Sequence, residues 1–401
     1  MKRTVFFLLL LLFLSTACED EASLQKINLL ADEVRQKYAP DKRVALFQTE
    51  AVFSGSDIVL RGETNLPDAK AELMEKLRSS SLSVIDSLAV LPSPALKGKH
   101  WGIVNVSVCN MRSAPKHSAE LATQALLGTP LRVWKEENGF YLVQSPDDYF
   151  GWVDDGGFVL MDSMNWQNRL NSPKAVCLDD YVFAYENPFE HAPKVTDLLA
   201  GNIVQTLENQ GDFTKINLPD GRTGFVKSMH LMPLRTWLDT RQPDADHILT
   251  SAREMMGRPY LWGGTSGKGM DCSGFTKMAY FLNGIQLPRD ASQQVMVGEA
   301  MDADTTFSNI HPGDLLFFGK KAEGEQKEKI THVAIYLGDG KIIHASDMVE
   351  VESLRRGDPT FNEYRLKSYV RSKRIVGSVG KNGVVGLKDS PFYGKGPGLQ
   401  D

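Results

Sequence analysis

Apolar Ile27, Leu30, Ala31, Val34 and Tyr38 recur at the 3.6-residue spacing of a helix, predicted over 24–38. A strand is expected around 44–53, a turn at Gly55-Ser56, and the alternating "DIVLRGE" as a second strand. A helix over 68–78 follows, with Ala71, Met74 and Leu77 or Leu73 inward, and then "SVIDSLAVL" as a third strand. Residues 93–99 read as a linker.

Between 100 and 233 the pattern repeats. "GTPLRVWKEENGFYLVQSPDDYFGWV" lies over "GNIVQTLENQGDFTKINLPDGRTGFV" at an offset of 73 without gaps. Short alternating strands separated by Pro-Asp turns predict two small all-β barrels, over 100–163 and 170–233. Residues 233–245 read as a connector. Asp246 is then expected to cap a helix with Ile248, Leu249, Ala252 and Met256 on one side. The last unit runs over 246–375, and the Gly- and Lys-rich 376–401 reads as a poorly structured tail.

In "GMDCSGFTKMAYFLNG", Phe275, Met278, Ala279 and Leu282 predict a helix that begins near Asp271 and stops at Gly284. Cys272 then lies in the first turn, where unpaired N–H groups and the helix dipole favour a thiolate and a lowered thiol pKa. "THVAIYLGDGKIIHAS" alternates on both sides of Gly338-Asp339-Gly340, which predicts a hairpin. A three-residue Gly-Asp-Gly loop puts His332 and His344 on one face; a two-residue Asp-Gly loop puts them on opposite faces. In the first case the helix can dock against the face that bears the imidazoles, with His332 as base and His344 as its orienting partner. Two other readings stand beside this one. Cys272 is a core thiol with two structural histidines, or Cys/His/His hold zinc, although no carboxylate or second cysteine sits at ligand spacing along the chain.

Composition adds bounds. At 401 residues and 42% hydrophobic the chain can form two to four domains, and a net charge of −5 without a basic stripe argues against nucleic-acid binding. "MKRTVFFLLLLLFLSTAC" has basic Lys2 and Arg3, an apolar run too short to span a bilayer, and small residues before Cys18. It reads as an export signal over 1–18. Its end resembles a lipoprotein lipobox, with Ser15 where Leu is usual, which implies lipidation at Cys18, attachment to the cell-envelope membrane, and a location facing the periplasm or the cell exterior. Cys109 and Cys177, in apolar strand contexts, read as core residues, and three cysteines besides Cys18 leave at least one thiol free.

Four blocks, "GRPYLWGGTSGKGMDCSGF", "LPRDASQQ", "HPGDLLFF" and "THVAIYLGDGKIIHAS", resemble in order and spacing the NlpC-type cell-wall cysteine peptidases. The "NMRSAP" opening of the first barrel and the Gly-Trp-Val and Gly-Phe-Val ends of the two copies resemble bacterial SH3-like domains. Together they are similar to the three-domain γ-D-glutamyl-L-diamino-acid endopeptidases. Residues 24–95 resemble small BON-like modules. The resemblance implies an α+β chain: a papain-like C-terminal domain preceded by two SH3-like barrels and an N-terminal α+β module. It implies a nucleophile at Cys272, a general base at His332, an orienting His344, and Tyr260 with the Cys272 N–H at the oxyanion site. Trp262 would wall the cleft. Asp271, Ser273 and Asp290 would hold a substrate L-Ala amine and D-Glu carboxylate, and Glu120 and Tyr149 of the first barrel would close over the free amino terminus. Ala291 stands where many relatives carry Ser, and the second barrel has Arg222 where the first has Tyr149. The implied activity is cleavage of the γ-D-Glu–diamino-acid bond of peptidoglycan stem peptides with a free L-Ala, in wall turnover or recycling. It implies a monomer acting on peptidoglycan-derived peptides, without metal or cofactor. The competing functions are an inactive wall-binding module, and an amidase or acyl transferase on the same scaffold.

Overall fold

The computed structural model describes residues 21–80, 82–301 and 306–394. Cys18 and the 1–18 segment lie outside the described residues. Among those described, no helix is long and apolar enough to cross a membrane. The chain divides into two compact units, one comprising residues to 98 with 134–136, the other the remainder.

In the first unit a helix over 21–38 and a helix Pro67–Ser79 accompany strands Phe47–Ser54, Asp57–Thr64 and Val84–Val90. The first two strands pair antiparallel and the third joins the second in parallel. Ile27, Ala31, Val34, Leu60, Ala69, Leu73 and Leu77 make its core. Ala71, expected inward, is exposed and Ala69 is buried in its stead, while Leu73 and Leu77, expected as alternatives, both point in.

The repeat is structural throughout. Strands Trp101–Val104, Pro130–Glu137, Phe140–Gln144 and Phe150–Asp154 recur 73 residues on as Lys174–Cys177, Ile203–Gln210, Phe213–Asn217 and Thr223–Lys227, and both seven-stranded sheets have the same strand order. Even close packing is copied: Gly151 abuts Met111, and Gly224 abuts Ala184, 73 residues later.

Four expectations past 233 change. The supposed connector holds the helix Leu234–Thr240, with Trp237 buried. The following helix, Ala245–Glu254, is capped by Asp244, whose Oδ1 accepts the His247 N–H at 3.0 Å, and Asp246 lies in its first turn. Met255 rather than Met256 completes the buried face, because the helix ends there and the chain turns. The tail packs as far as it is described. Val385–Gly386 pairs with Ile285–Gln286, Leu387 is fully buried, and Tyr393 meets Phe281 edge to face.

The last domain is a six-stranded antiparallel sheet, in spatial order Glu299–Met301, Tyr369–Arg374, Leu315–Lys320, Lys329–Gly338, Lys341–Ala345, Val349–Ser353. The helix Cys272–Phe281 buries Phe275, Met278 and Ala279 against Leu315, Phe317, Val333, Ile335 and Ile343. The alternate residues Leu316, Phe318, Ala334, Tyr336 and Ile342 build a second core on the other face.

Candidate active site

Asp271 is the N-cap of the helix, and its Oδ1 accepts the Gly274 N–H at 2.7 Å. Cys272 is therefore the first helical residue, where the helix supplies no carbonyl for its N–H. Gly274 lets the helix sit directly on the chain before it, since a Cβ there would come within 2.0 Å of the Gly264 carbonyl oxygen.

The expected lowering of the thiol pKa is overturned. Burial pushes Cys272 up to about 11, the neighbouring Asp271 carboxylate adds to this, and N–H groups of Val333 and Ser273 aimed at Sγ only partly offset it. Desolvation of a 7%-exposed thiol outweighs the helix terminus. Cys109 and Cys177 are buried free thiols in the barrels; burial raises both, Cys177 to about 12.

The hairpin resolves the loop alternatives in an unanticipated way. Gly338 pairs with Lys341 around a two-residue Asp339-Gly340 turn, both residues having positive φ, yet Tyr336 pairs with Ile342 and Ile335 with Ile343. A bulge at the intervening position shifts the register by one residue, so the tight turn and the shared face coexist. His332 Nε2 stands 2.8 Å from His344 Nδ1, with the rings nearly perpendicular. The imidazoles alternate with the residues beneath the thiol-bearing helix, so the helix docks on the other face of the sheet from the one expected. The strand pairing ends at Ile335 and Ile343, which leaves the Val333 N–H, beside His332, to meet Sγ. Burial, then Arg365 and His344, hold His332 well below the usual imidazole range.

Behind His344 lies a residue absent from the sequence reading. Its Nε2 stands 3.0 Å from Glu352 Oε2, off the best hydrogen-bond axis, while Asn362 Nδ2 donates to Glu352 Oε1 at 2.7 Å. Burial raises the Glu352 pKa, but His344, Asn362 and Arg365 outweigh it and leave it lowered. His344, Glu350 and Glu352 bring ligand atoms within 4.8 Å of one another, so carboxylates do reach ligand spacing, on a neighbouring strand. The alternation in "VEVES" was the available signal.

Arg289, within "LPRDASQQ", is a second residue that local pattern does not single out, and it is 1% exposed. Its Nη2 and Nη1 donate to Asp271 Oδ2 and Oδ1 at 2.6 and 3.1 Å, Nη1 also to Ser273 Oγ at 3.0 Å, and Nε to Thr123 Oγ1 of the first barrel at 2.8 Å. Asp271 Oδ2 accepts the Gly263 N–H as well, at 3.0 Å. The Asp271 carboxylate is thus a buried structural node. Asp290 caps the helix Ala291–Gln294 in a capping box with Gln293.

The first barrel reaches the domain at the remaining candidates. Tyr149 Oη donates to Asp290 Oδ2 at 3.0 Å, and Trp262 Nε1 donates to Glu120 Oε1 at 2.7 Å. Trp262 and Glu120 are both exposed. Gln124 brackets Thr265 through backbone and side chain, and a buried Asp147–Lys277 ion pair ties the barrel to the thiol-bearing helix. Arg222, at the Tyr149 place in the second barrel, pairs with Asp220 instead. Tyr260 is partly buried and its phenol is pushed up to about 12, by burial and then by Cys272 and Asp271, so it remains a donor at neutral pH.

The NlpC/P60 family model matches residues 257–370, and the bacterial dipeptidyl-peptidase SH3 domain matches 111–157. The chain is 30% identical over 234 residues to the γ-D-glutamyl-L-lysine dipeptidyl-peptidase of Bacillus cereus, covering 56% of this chain and 67% of that one. It is 28% identical over 270 residues to dipeptidyl-peptidase 6 of Lysinibacillus sphaericus, covering 65% of this chain and 94% of that one. The solved structure of an NlpC/P60 family protein from Bacillus cereus aligns with a TM-score of 0.58 at 25% identity, over 69% of this chain and 99% of that one. Since the Bacillus cereus dipeptidyl-peptidase is matched over two thirds of its length, and the matched segments fall on the first barrel and the thiol-bearing domain, the chain belongs to the NlpC/P60 family of cysteine peptidases.

Proposed function

We propose that the protein hydrolyses the γ-D-Glu–diamino-acid bond of peptidoglycan stem peptides that carry a free N-terminal L-Ala. The observation that carries this reading is the pair of contacts by which Glu120 and Tyr149 of the first barrel meet Trp262 and Asp290 of the peptidase domain. A barrel held there would bound the substrate path on one side and favour a substrate that ends against it. Glu120, exposed and bonded on one oxygen to Trp262, would take the ammonium in this reading; Asp271, already committed to Arg289, holds Ser273 and the helix start in place.

In this mechanism Cys272 Sγ attacks the γ-carbonyl carbon while its proton passes to His332. The tetrahedral oxyanion is met by the Cys272 N–H and the Tyr260 hydroxyl. His332 then gives the proton to the departing amine, leaving a thioester, and water activated by the same imidazole releases the γ-carboxylate. A neutral thiol and a neutral imidazole at rest suit a proton transfer coupled to attack. The protein is further proposed to act as a monomer, exported and anchored through a lipid on Cys18, on peptides released in wall turnover or recycling.

Mass spectrometry of defined stem peptides with free or acetylated L-Ala tests the reading. Wild type is expected to cut the free peptide at the γ-D-Glu bond, and Cys272→Ala to cut neither. Equal cleavage of the blocked peptide refutes amine recognition, and activity in Cys272→Ala refutes the mechanism. Metabolic labelling with a fatty acid, lost in Cys18→Ala, tests the anchor.

A further inference from the structure

One hydrogen lies between His332 Nε2 and His344 Nδ1, 2.8 Å apart, and two neutral arrangements can supply it. In the first, His332 carries its hydrogen on Nε2 and donates it to His344. The Nδ1 lone pair of His332 is then free to take a proton, and His344 carries its own hydrogen on Nε2. In the second, His344 donates from Nδ1. His332 then holds its hydrogen on Nδ1 and has no lone pair left there for a thiol proton, and His344 Nε2 is a bare acceptor.

Glu352 distinguishes the two. Its Oε2 lies 3.0 Å from His344 Nε2, on an imidazole that is fully buried. The second arrangement would set a lone pair against a carboxylate oxygen; the first sets an N–H there. Asn362 donates to the other carboxylate oxygen, at 2.7 Å, and Arg365 Nε lies 3.7 Å from Oε2, so the group is held in place as an acceptor. Glu350, directly across from His344 on the next strand, and Arg365, which also bears on His332, are further ionisable groups beside the pair.

We propose that Glu352 is a positioning residue that sets the tautomers of both imidazoles and thereby makes His332 Nδ1 the basic nitrogen, an inference that rests on the roles proposed above for Cys272 and His332. No further reactant is needed. When the thiol proton reaches His332 Nδ1, the imidazolium keeps its Nε2–H bond to His344, and the His344 N–H remains on Glu352.

The test is Glu352→Gln. Asn362 demands an oxygen at the Oε1 place, so the new amide must turn its NH₂ toward His344 Nε2 and drive the second arrangement. The comparable Asp→Asn change in a serine-protease triad costs about 10⁴-fold in kcat; two imidazoles away, a loss of about 100-fold or more is expected, with KM changed less than about 2-fold. Nitrogen-15 NMR is expected to find His332 protonated on Nε2 in wild type and on Nδ1 in the variant, at an unchanged Tm. Adding Asn362→Ala frees the amide to rotate and is expected to restore part of kcat and the wild-type tautomers. Wild-type tautomers in Glu352→Gln, or kcat within about 3-fold of wild type, overturn the proposal. The NMR readout is independent of turnover, so failure of the proposed reaction would show in Cys272→Ala while the tautomer result stood.

Discussion

Arg289→Met removes the guanidinium from a site where the side chains of both partners are almost wholly buried, Arg289 at 1% and Asp271 at 10% exposure. Methionine is flexible enough to fill most of the space, so the cost is mainly electrostatic. Removing one partner of a buried ion pair costs about 3–5 kcal/mol. Asp271 keeps the N–H groups of Gly263 and Gly274, which places the loss near the low end, at about 3 kcal/mol. For a unit of this size that corresponds to a fall in Tm of about 5 °C. The double variant Asp271→Asn/Arg289→Met no longer buries a lone charge, and its cost is expected to shrink to about 1–2 kcal/mol. Urea unfolding followed by tryptophan fluorescence suits the measurement, because five of the six tryptophans lie in the second unit. A loss below about 1 kcal/mol for Arg289→Met, or a double variant no more stable than it, would refute the reasoning.

A thiol pKa of about 11 leaves about 10⁻⁴ of Cys272 as thiolate at pH 7. Its alkylation by iodoacetamide is therefore expected to rise about tenfold per pH unit from pH 7 toward 10, and a plateau below pH 8 would show a thiolate–imidazolium pair instead. The depressed His332 pKa means that below about pH 6.5 the unfolded chain takes up a proton the folded one refuses. Its contribution to stability is present above pH 6.5 and lost as pH falls toward the folded pKa, which urea midpoints at pH 7.5 and 5 would reveal as a decrease absent in His332→Gln. Gly274→Ala, with its Cβ 2.0 Å from the Gly264 oxygen, is expected to cost about 3 kcal/mol and to cut kcat at least tenfold by lifting the helix start; a silent substitution would disprove the close approach. Glu120→Gln is expected to raise KM for free-amine peptides about tenfold with kcat little changed, whereas an equal effect on acetylated peptides would show that Glu120 does not read the ammonium.

Much of this molecule follows from the chain alone. Periodicity located the helix Cys272–Phe281 and its start, since Phe275, Met278 and Ala279 mark one face whatever they pack against. The offset of 73 carried over to nearly every barrel strand, because turn and alternation are local properties that each copy must satisfy for itself. Tertiary structure decided what depends on neighbours remote in sequence. Met255 rather than Met256 turned inward because the helix ends there, a boundary that spacing does not mark. Two histidines share a face despite a two-residue turn because one residue bulges out of the pairing. Burial reversed the direction in which helix placement alone would move the thiol. Arg289 and Glu352 acquired their places because Asp271 and His344, 18 residues before the one and 8 before the other, needed partners in a desolvated interior. Local pattern specifies where a side chain starts; dielectric environment and remote partners decide its charge and what it does.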